Sequence, residues 1–406
     1  MLFLTHYFPP EGNAPASRTY DNSKRWVAAG HEVTVLTCAP NVPDGKVYEG
    51  YKNKLWQEEW IDGIRVIRVW TFVAANKGAA LRILNYISYL FTAGFFGLFL
   101  PRPDVLVSTS PQFFCGLAGM LLAKLRRLPR ILEIRDIWPE SIQAVGAMKK
   151  SFATRMLEHV ELFMYRTADQ IVTVGPGYKD KLMARGVADT KIDVITNGAD
   201  LEFYQPGAAN EPFKVKYGFS GKFTAAYVGT IGMASGLEVV LEASRKLTAC
   251  GDDSIRFLLV GDGAERENLE ARADAEDLQH VIFTGRIDKS EVPTLLQTVD
   301  VCFIHLRKSD LFKTVLPSKL FEAFAVGRAV VLGVDGSARD VLEAADAGVF
   351  MEPGNVDELL DAVNKLKDDA NVREQYENNG LKHVRAFYNR DKLAADYIEV
   401  LNKVVN

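Results

Sequence analysis

The chain has 406 residues, 48% apolar and 25% charged, which is too long for one ordinary core and makes two domains the default. Its formal net charge of −4 argues against a nucleic-acid binder that works through bulk charge. The cysteines Cys38, Cys115, Cys250 and Cys302 are far apart without C-x-x-C spacing, so neither a disulfide framework nor a zinc site is expected and a reducing cytoplasm fits.

The first residues, MLFLTHYFPPEG, lack a basic start, and their apolar run is too short for a signal peptide. They read instead as a first strand, 2–5. Further aliphatic runs predict strands at 32–37, 64–69, 104–109, 130–135, 170–174 and 192–196, then at 223–228, 255–260, 281–285, 301–306, 329–334 and 348–352. Helix-length segments separate most neighbours. That rhythm implies an α/β chain of parallel, doubly wound sheets with helices on both faces.

PPEGNAPASR, residues 9–18, follows the first strand and precedes a helical segment. It is either a Gly-bearing turn whose backbone N–H groups meet a phosphate, or a plain strand-to-helix loop. AALRILNYISYLFTAGFFGLFLPRP, 79–103, is long enough to span a bilayer and carries only Arg82 over some twenty residues. Strands on both sides of it belong to one sheet, which disfavours a span. The segment is then a buried helix, or one lying in a membrane interface, where Tyr86, Tyr89, Phe91, Lys77, Arg82 and Arg102 would suit it.

LEIRDIWPES, 132–141, ends a strand with Arg135 and Asp136, followed by Trp138, Pro139 and Glu140. Charges there face the ligand crevice of an open α/β sheet, or else pair to cap the next helix. Residues 197–222, with two prolines, four glycines and little period, are the best linker. VGTIGMASG, 228–236, repeats a Gly-bearing turn at Gly229, Gly232 and Gly236 at the start of the second half. In LLVGDGAERENL, 258–269, the third glycine of a dinucleotide fingerprint is missing, so Gly261 and Gly263 are read as lining a nucleotide pocket.

In VLPSKLFEAFAVGRAVV, Pro317 suits a helix start. Ser318 and Lys319 lie in its first turn, and Glu322 is one turn on. The helix end and Lys319 would stabilise a diphosphate, and Glu322 could accept bonds from both hydroxyls of a ribose. Alone, the pair would be a solvated ion pair; where a nucleotide would sit, it reads as a donor site. The tail is helical, with Phe387, Leu393, Tyr397 and Leu401 at helical spacing. No nucleophile triad, zinc spacing, Walker loop or D-x-D is present, so metal-independent chemistry is expected, the helix dipole and Lys or Arg stabilising a leaving diphosphate.

HYFPPEGNAPASR…WVAAGHEVTVLT, VITNGADLEFYQP, LLVGDGAERENLE, VIFTGRI and PSKLFEAFAVGRAVVLG occur in an order that resembles the retaining glycosyltransferases of family 4. EIRDIWPES with PSKLFE is similar to a subgroup building bacterial surface polysaccharides, including N-acetyl-L-fucosamine transferases of O-antigen and capsule assembly. The resemblance implies a GT-B fold of two Rossmann-like domains facing across a cleft. It implies an acceptor domain over 1–200, a donor domain over 201–385, and a last helix, 386–406, crossing back to the first. Glu322 would bind the donor ribose, and Gly12 and Asn13 the donor phosphates or sugar. Gly229, Thr230, Gly261, Arg286, Lys313, Thr314, Pro317, Ser318, Lys319 and Leu320 would complete the donor set. Asn197, Gly198 and Asp200 would shape the interdomain turn, Arg135 and Asn197 would serve the acceptor or the interdomain region, and Asp136, with Lys319 and Glu322 in the catalytic set, would orient acceptor or donor hydroxyls.

Three departures from the family pattern stand out. Thr230 and Ser235 replace the Arg and Lys of its G-R-x-x-x-x-K-G stretch, Thr314 replaces the first glutamate of E-x7-E, and Arg135–Asp136 replaces a histidine. Lys319 first, then Lys313, Arg307 and Lys308, are left to neutralise the diphosphate. The expected function is transfer of an N-acetylated or deoxy-amino hexose from a UDP-sugar to a polyprenyl-diphosphate-linked saccharide at the inner face of the cytoplasmic membrane. No cofactor is expected beyond that co-substrate. The alternatives are a GT-B UDP-sugar 2-epimerase and a non-catalytic nucleotide-sugar binding protein.

Overall fold

The computed structural model describes residues 1–42, 45–73, 79–137 and 152–405. They form two compact units, Met1–Thr196 with Arg390–Asn406, and Asn197–Asn389.

The first unit is built on an eight-stranded sheet ordered β3-β4-β2-β1-β5-β6-β7-β8. Its strands are β1 Leu2–Leu4, β2 Thr34–Cys38, β3 Trp56–Ile61, β4 Ile64–Val69, β5 Leu106–Thr109, β6 Arg130–Ile134, β7 Gln170–Thr173 and β8 Ile192–Val194. Every pair is parallel except β3–β4. Central strands β1 and β6 are buried at every residue; β1 reads as an unbroken apolar run, whereas β6 also buries Arg130 and Glu133.

Strand β3 escapes the sequence reading because WQEEWI is an edge strand, half exposed and interrupted by two glutamates. Asp62 and Gly63, both at positive φ, turn it into β4, and that Asp-Gly pair is the available signal. The sheet is therefore mixed at one edge rather than wholly parallel.

Helix α1, Ala14–Ala28, buries Ala16, Thr19, Ser23 and Trp26. Trp26 packs edge-on against Tyr397 at 5.0 Å and donates from Nε1 to the Ala394 carbonyl at 3.1 Å, so helix Arg390–Val405 rests on this unit's core. Leu393, Tyr397 and Leu401 form its inward stripe. Phe387 does not join them: it ends the preceding helix, Ala370–Phe387, and is exposed. The apolar segment forms helix α2, Ala79–Gly97, and no described helix is long and apolar enough to cross a membrane.

The second unit carries six parallel strands in the order β11-β10-β9-β12-β13-β14. They are β9 Phe223–Val228, β10 Ile255–Val260, β11 Val281–Gly285, β12 Val301–His305, β13 Ala329–Gly333 and β14 Gly348–Phe350. The expected linker is part of this unit and is not structureless. Residues Glu211–Tyr217 form a helix, with the Asn210 side chain accepting from Phe213 N at 3.0 Å and Phe213 buried. The unit's two ends are tied together where Ala199 N donates to the Tyr388 carbonyl at 2.9 Å.

Candidate functional site: the carboxyl edge of the second sheet

Three loops leave β9, β10 and β12 at their carboxyl ends, where open α/β sheets bind ligands. The first two interlock. Gly229 N donates to Val260 O at 2.8 Å, Ile231 N to Asp262 O at 2.9 Å, and Glu265 N to Ile231 O at 3.0 Å. Gly261 and Gly263, at φ +131 and +156, have no room for a side chain: a Cβ on Gly261 would strike the Gly229 carbonyl, and one on Gly263 the Ile231 carbonyl. Their close backbone approach is thus to the neighbouring loop, a constraint beside the expected lining of a nucleotide pocket.

Gly229, at φ +142, serves Lys319. A Cβ there would lie 2.6 Å from Lys319 Nζ. The ammonium sits 3.6 Å from the centroid of the Tyr227 ring, a cation–π contact. Tyr227 is buried, and its hydroxyl donates to the Thr230 carbonyl at 2.8 Å, fixing the loop above. Burial pushes the Lys319 pKa down from 10.5 to about 7, against an opposing pull from Glu322.

Helix Ser318–Ala325 carries both groups. Pro317 is its N-cap, at φ −66, rather than its first helical residue. The helix anchors on Leu320, Phe321 and Phe324, all fully buried, leaving Lys319 and Glu322 on the more open side. Leu320 is therefore a core residue, and its side chain does not belong to a ligand set. Thr314 is buried and its hydroxyl donates to the Leu311 carbonyl at 2.9 Å, completing the 3-10 turn Phe312–Thr314. Ser235, likewise buried, donates to the Gly232 carbonyl at 2.5 Å. Neither replaces the charge of the residue the family pattern has there. Arg286 is exposed just beyond β11.

In the first unit, the residues expected at the ligand edge are largely struts. Arg135 donates to the Pro15 and Ala14 carbonyls, each at 3.1 Å, and so fixes the start of α1. Burial lowers its pKa to about 10, with Glu133 opposing. Ser110 Oγ accepts from Arg135 N at 2.7 Å and Asp136 N at 3.2 Å, setting the turn after β6. Asn13 is spent as the α1 N-cap, accepting from Ala16 N at 2.9 Å. A Cβ added to Gly12 would meet nothing within 4 Å, so packing does not demand glycine there.

Sequence reasoning misses Arg18 and Glu133. Arg18 pairs with buried Glu133 at 3.2 Å and donates to the Ile195 and Thr196 carbonyls at 2.8 Å, holding the end of the unit. Asp200 forms an Asx turn, accepting from Glu202 N at 3.1 Å and Phe203 N at 3.2 Å, close after Asn197 and Gly198. Lys77, Trp138, Pro139 and Glu140 lie outside the described residues.

Two family models account for most of the sequence. Residues 13–198 match the glycosyl transferase 4-like domain and residues 210–383 match glycosyl transferases group 1. The chain is a glycosyltransferase with a group 1 domain in its second half. Among its relatives are a GDP-mannose-dependent alpha-mannosyltransferase of Mycobacterium tuberculosis, 24% identical over 90% of this chain and 87% of that one, and an uncharacterized glycosyltransferase of Methanocaldococcus jannaschii, 21% identical over 100% and 98%. Solved structures confirm the GT-B fold. Anabaena HepE in complex with UDP and glucose aligns with a TM-score of 0.73 at 16% identity, covering 99% of this chain and 98% of that one. Sucrose-phosphate synthase of Thermosynechococcus elongatus aligns with a TM-score of 0.71 at 17% identity, with the same coverage.

In this glycosyltransferase the four candidate cations are not equivalent. Arg307 pairs with Glu238, Lys308 with Glu352 at 2.5 Å, and Lys313 with Asp310 at 2.9 Å and Asp335 at 3.9 Å. Lys319 forms no ion pair within 4 Å among the described residues and meets the face of Tyr227 instead. His305, the histidine at the end of β12, is also engaged: Nδ1 donates to the Ser235 carbonyl at 2.8 Å and Nε2 accepts from Gly354 N at 2.9 Å. Among the described residues no three His, Cys, Asp or Glu side chains gather to hold a metal ion.

Proposed function

We propose that this glycosyltransferase moves a sugar from a UDP-sugar to a polyprenyl-diphosphate-linked saccharide, with retention and without a metal, at the inner face of the cytoplasmic membrane. One observation carries the donor half of this reading. Lys319 is a half-buried ammonium with no carboxylate within ion-pair distance among the described residues, one helical turn from Glu322 at the start of helix Ser318–Ala325. An unneutralised cation at a helix N-terminus suits a diphosphate. Glu322, with two acceptor oxygens, suits a pair of ribose hydroxyls.

Charge develops on the diphosphate as the glycosidic bond breaks, and a fixed ammonium and helix end stabilise it without reorganising. The acceptor hydroxyl attacks on the face the diphosphate leaves, and a diphosphate oxygen takes its proton. Asp136, held by Ser110 after β6, orients a sugar hydroxyl.

UDP is favoured because HepE, similar in fold, was solved with UDP and glucose, although the mycobacterial relative is named for GDP-mannose. The polysaccharide setting is supported by an Escherichia coli (strain K12) relative named for colanic acid biosynthesis, 27% identical over 76% of both chains. The sugar in this reading is an N-acetylated or deoxy-amino hexose, as in the N-acetyl-L-fucosamine transferases.

Incubation of the enzyme with a bacterial membrane extract and radiolabelled UDP-N-acetylhexosamine should move label into the lipid fraction with the anomeric configuration kept. Label that stays water-soluble, or an epimer formed without membranes, would overturn the reading in favour of a binding protein or an epimerase.

A further inference from the structure

Helix α2 is apolar on two sides, and only one of them is core. On the inner side Tyr89 and Ala93 are fully buried, and Tyr89 donates to the Leu36 carbonyl at 2.7 Å. Asn85 donates to the Phe72 carbonyl at 2.8 Å, and the hydroxyls of Tyr86 and Tyr7 lie 3.0 Å apart. These bonds fix the helix to the sheet and to the loop after β1. On the other side Phe91 and Phe95 are 69% and 57% exposed with Leu84, and in the turn after the helix Phe99, 71% exposed, and Leu98 extend them.

A second helix extends this surface. Helix α3, Phe113–Arg126, lies against α2, whose Gly97 leaves no room for a side chain beside Leu122. Arg126 donates to the Gly97 and Leu100 carbonyls at 2.9 and 2.8 Å, and Arg102 to the Arg127 carbonyl at 3.1 Å. These bonds bring the ends of the two helices together, with Leu121 and Leu125 exposed at that end, Leu125 by 71%.

The charges carried by this stretch are mostly basic. From residue 79 to residue 127 the sequence holds Arg82, Arg102, Lys124, Arg126 and Arg127 against a single acid, Asp104. On the adjoining edge, where Trp56 of β3 packs on Phe96 at 5.5 Å, Glu58 and Glu59 are already paired with Arg65 and Arg68. A contiguous exposed apolar surface marks a binding face. Exposed aromatics flanked by an excess of Lys and Arg are complementary to an anionic bilayer.

We propose that the α2–α3 surface is the seat of an anionic lipid bilayer. Phe91, Phe95, Phe99 and Leu125 enter the headgroup boundary, while Lys124, Arg127 and Arg102 meet lipid phosphates. The docking supplies the place where a lipid-linked acceptor is met and rests on the proposed reaction for that purpose only, because vesicle binding and UDP binding fail separately.

Co-sedimentation with vesicles of phosphatidylethanolamine and phosphatidylglycerol, and with phosphatidylcholine alone, tests it. Wild type should pellet with the anionic vesicles. The triple variant Phe91→Ser, Phe95→Ser, Phe99→Ser should bind them at least about tenfold more weakly, with UDP affinity unchanged. The double variant Lys124→Gln, Arg127→Gln should lose about fivefold per charge on anionic vesicles and nothing on neutral ones. Three results would overturn the proposal: wild type left in the supernatant, the triple variant bound as well as wild type, or a wild-type dimer that the triple variant breaks with no lipid binding. If the triple variant loses UDP binding through misfolding, the charge variant decides, and its full retention on anionic vesicles would sink the idea.

Discussion

In the proposed donor site, the lysine beneath Gly229 would make donor binding a proton-linked event. Its pKa in the free protein is about 7, depressed by burial from 10.5. A diphosphate in contact with Nζ favours the charged form, so the bound-state pKa lies above the free one. The sign follows from that order. Below about pH 7 the ammonium is already charged and affinity is full; above it each binding event takes up a proton. UDP affinity should therefore fall about tenfold per pH unit, for example between about pH 7.5 and about pH 8.5. That window lies above the second phosphate ionisation, near about 6, so the ligand does not confound it. Isothermal titration in buffers of different ionisation enthalpy would report uptake approaching one proton at the upper end. Lys319→Arg, which stays charged throughout, should flatten the profile, and Lys319→Met should bind weakly at every pH without proton uptake. A flat wild-type profile, or a slope that survives in Lys319→Arg, would rule this linkage out.

Further expectations concern packing and acid. Gly229→Ala places a methyl 2.6 Å from Lys319 Nζ at a backbone φ of +142; UDP affinity should fall toward that of Lys319→Met, and denaturant unfolding should show a loss of about 1–3 kcal/mol. Gly12→Ala, whose methyl meets nothing within 4 Å, should change stability by less than about 0.5 kcal/mol. Arg135→Met removes two bonds to the start of α1 and should cost about 1–3 kcal/mol in urea unfolding, while UDP affinity holds. Burial lowers the His6 pKa from 6.5 to about 4. As pH falls the unfolded chain thus binds the extra proton first, and stability should drop between those pH values by about 3 kcal/mol in total. His6→Phe should remove that component, and an unchanged acid slope in the variant would count against it.

How much is legible in the sequence depends on whether a signal is local. Buried parallel strands such as Phe223–Val228 and Ile255–Val260 are readable to the residue, because burial on both faces leaves a mainly apolar run interrupted only at Thr224 and Arg256. The edge strand Trp56–Ile61 is not, because exposure puts Glu58 and Glu59 inside it. Lys319 and Glu322 can be paired from helical spacing alone. That Lys319 differs from its neighbours cannot be seen there, because Arg307 and Lys308 are neutralised by Glu238 and Glu352, each more than forty residues away. Gly261 reads as a ligand-facing glycine, whereas its constraint is the carbonyl of Gly229 on another loop. Arg135 looks like a ligand group because its true partners, the Ala14 and Pro15 carbonyls, are backbone atoms that no sequence pattern advertises.

The proposed chemistry stands on helix Ser318–Ala325 holding the nucleotide of the donor, with Glu322 on the ribose. Titration of UDP into the wild type and into Glu322→Ala, with circular dichroism to verify folding, is the decisive experiment. Saturable binding by the wild type and no measurable binding by the variant are expected. A folded Glu322→Ala protein that bound UDP as tightly as wild type would leave that assignment untenable.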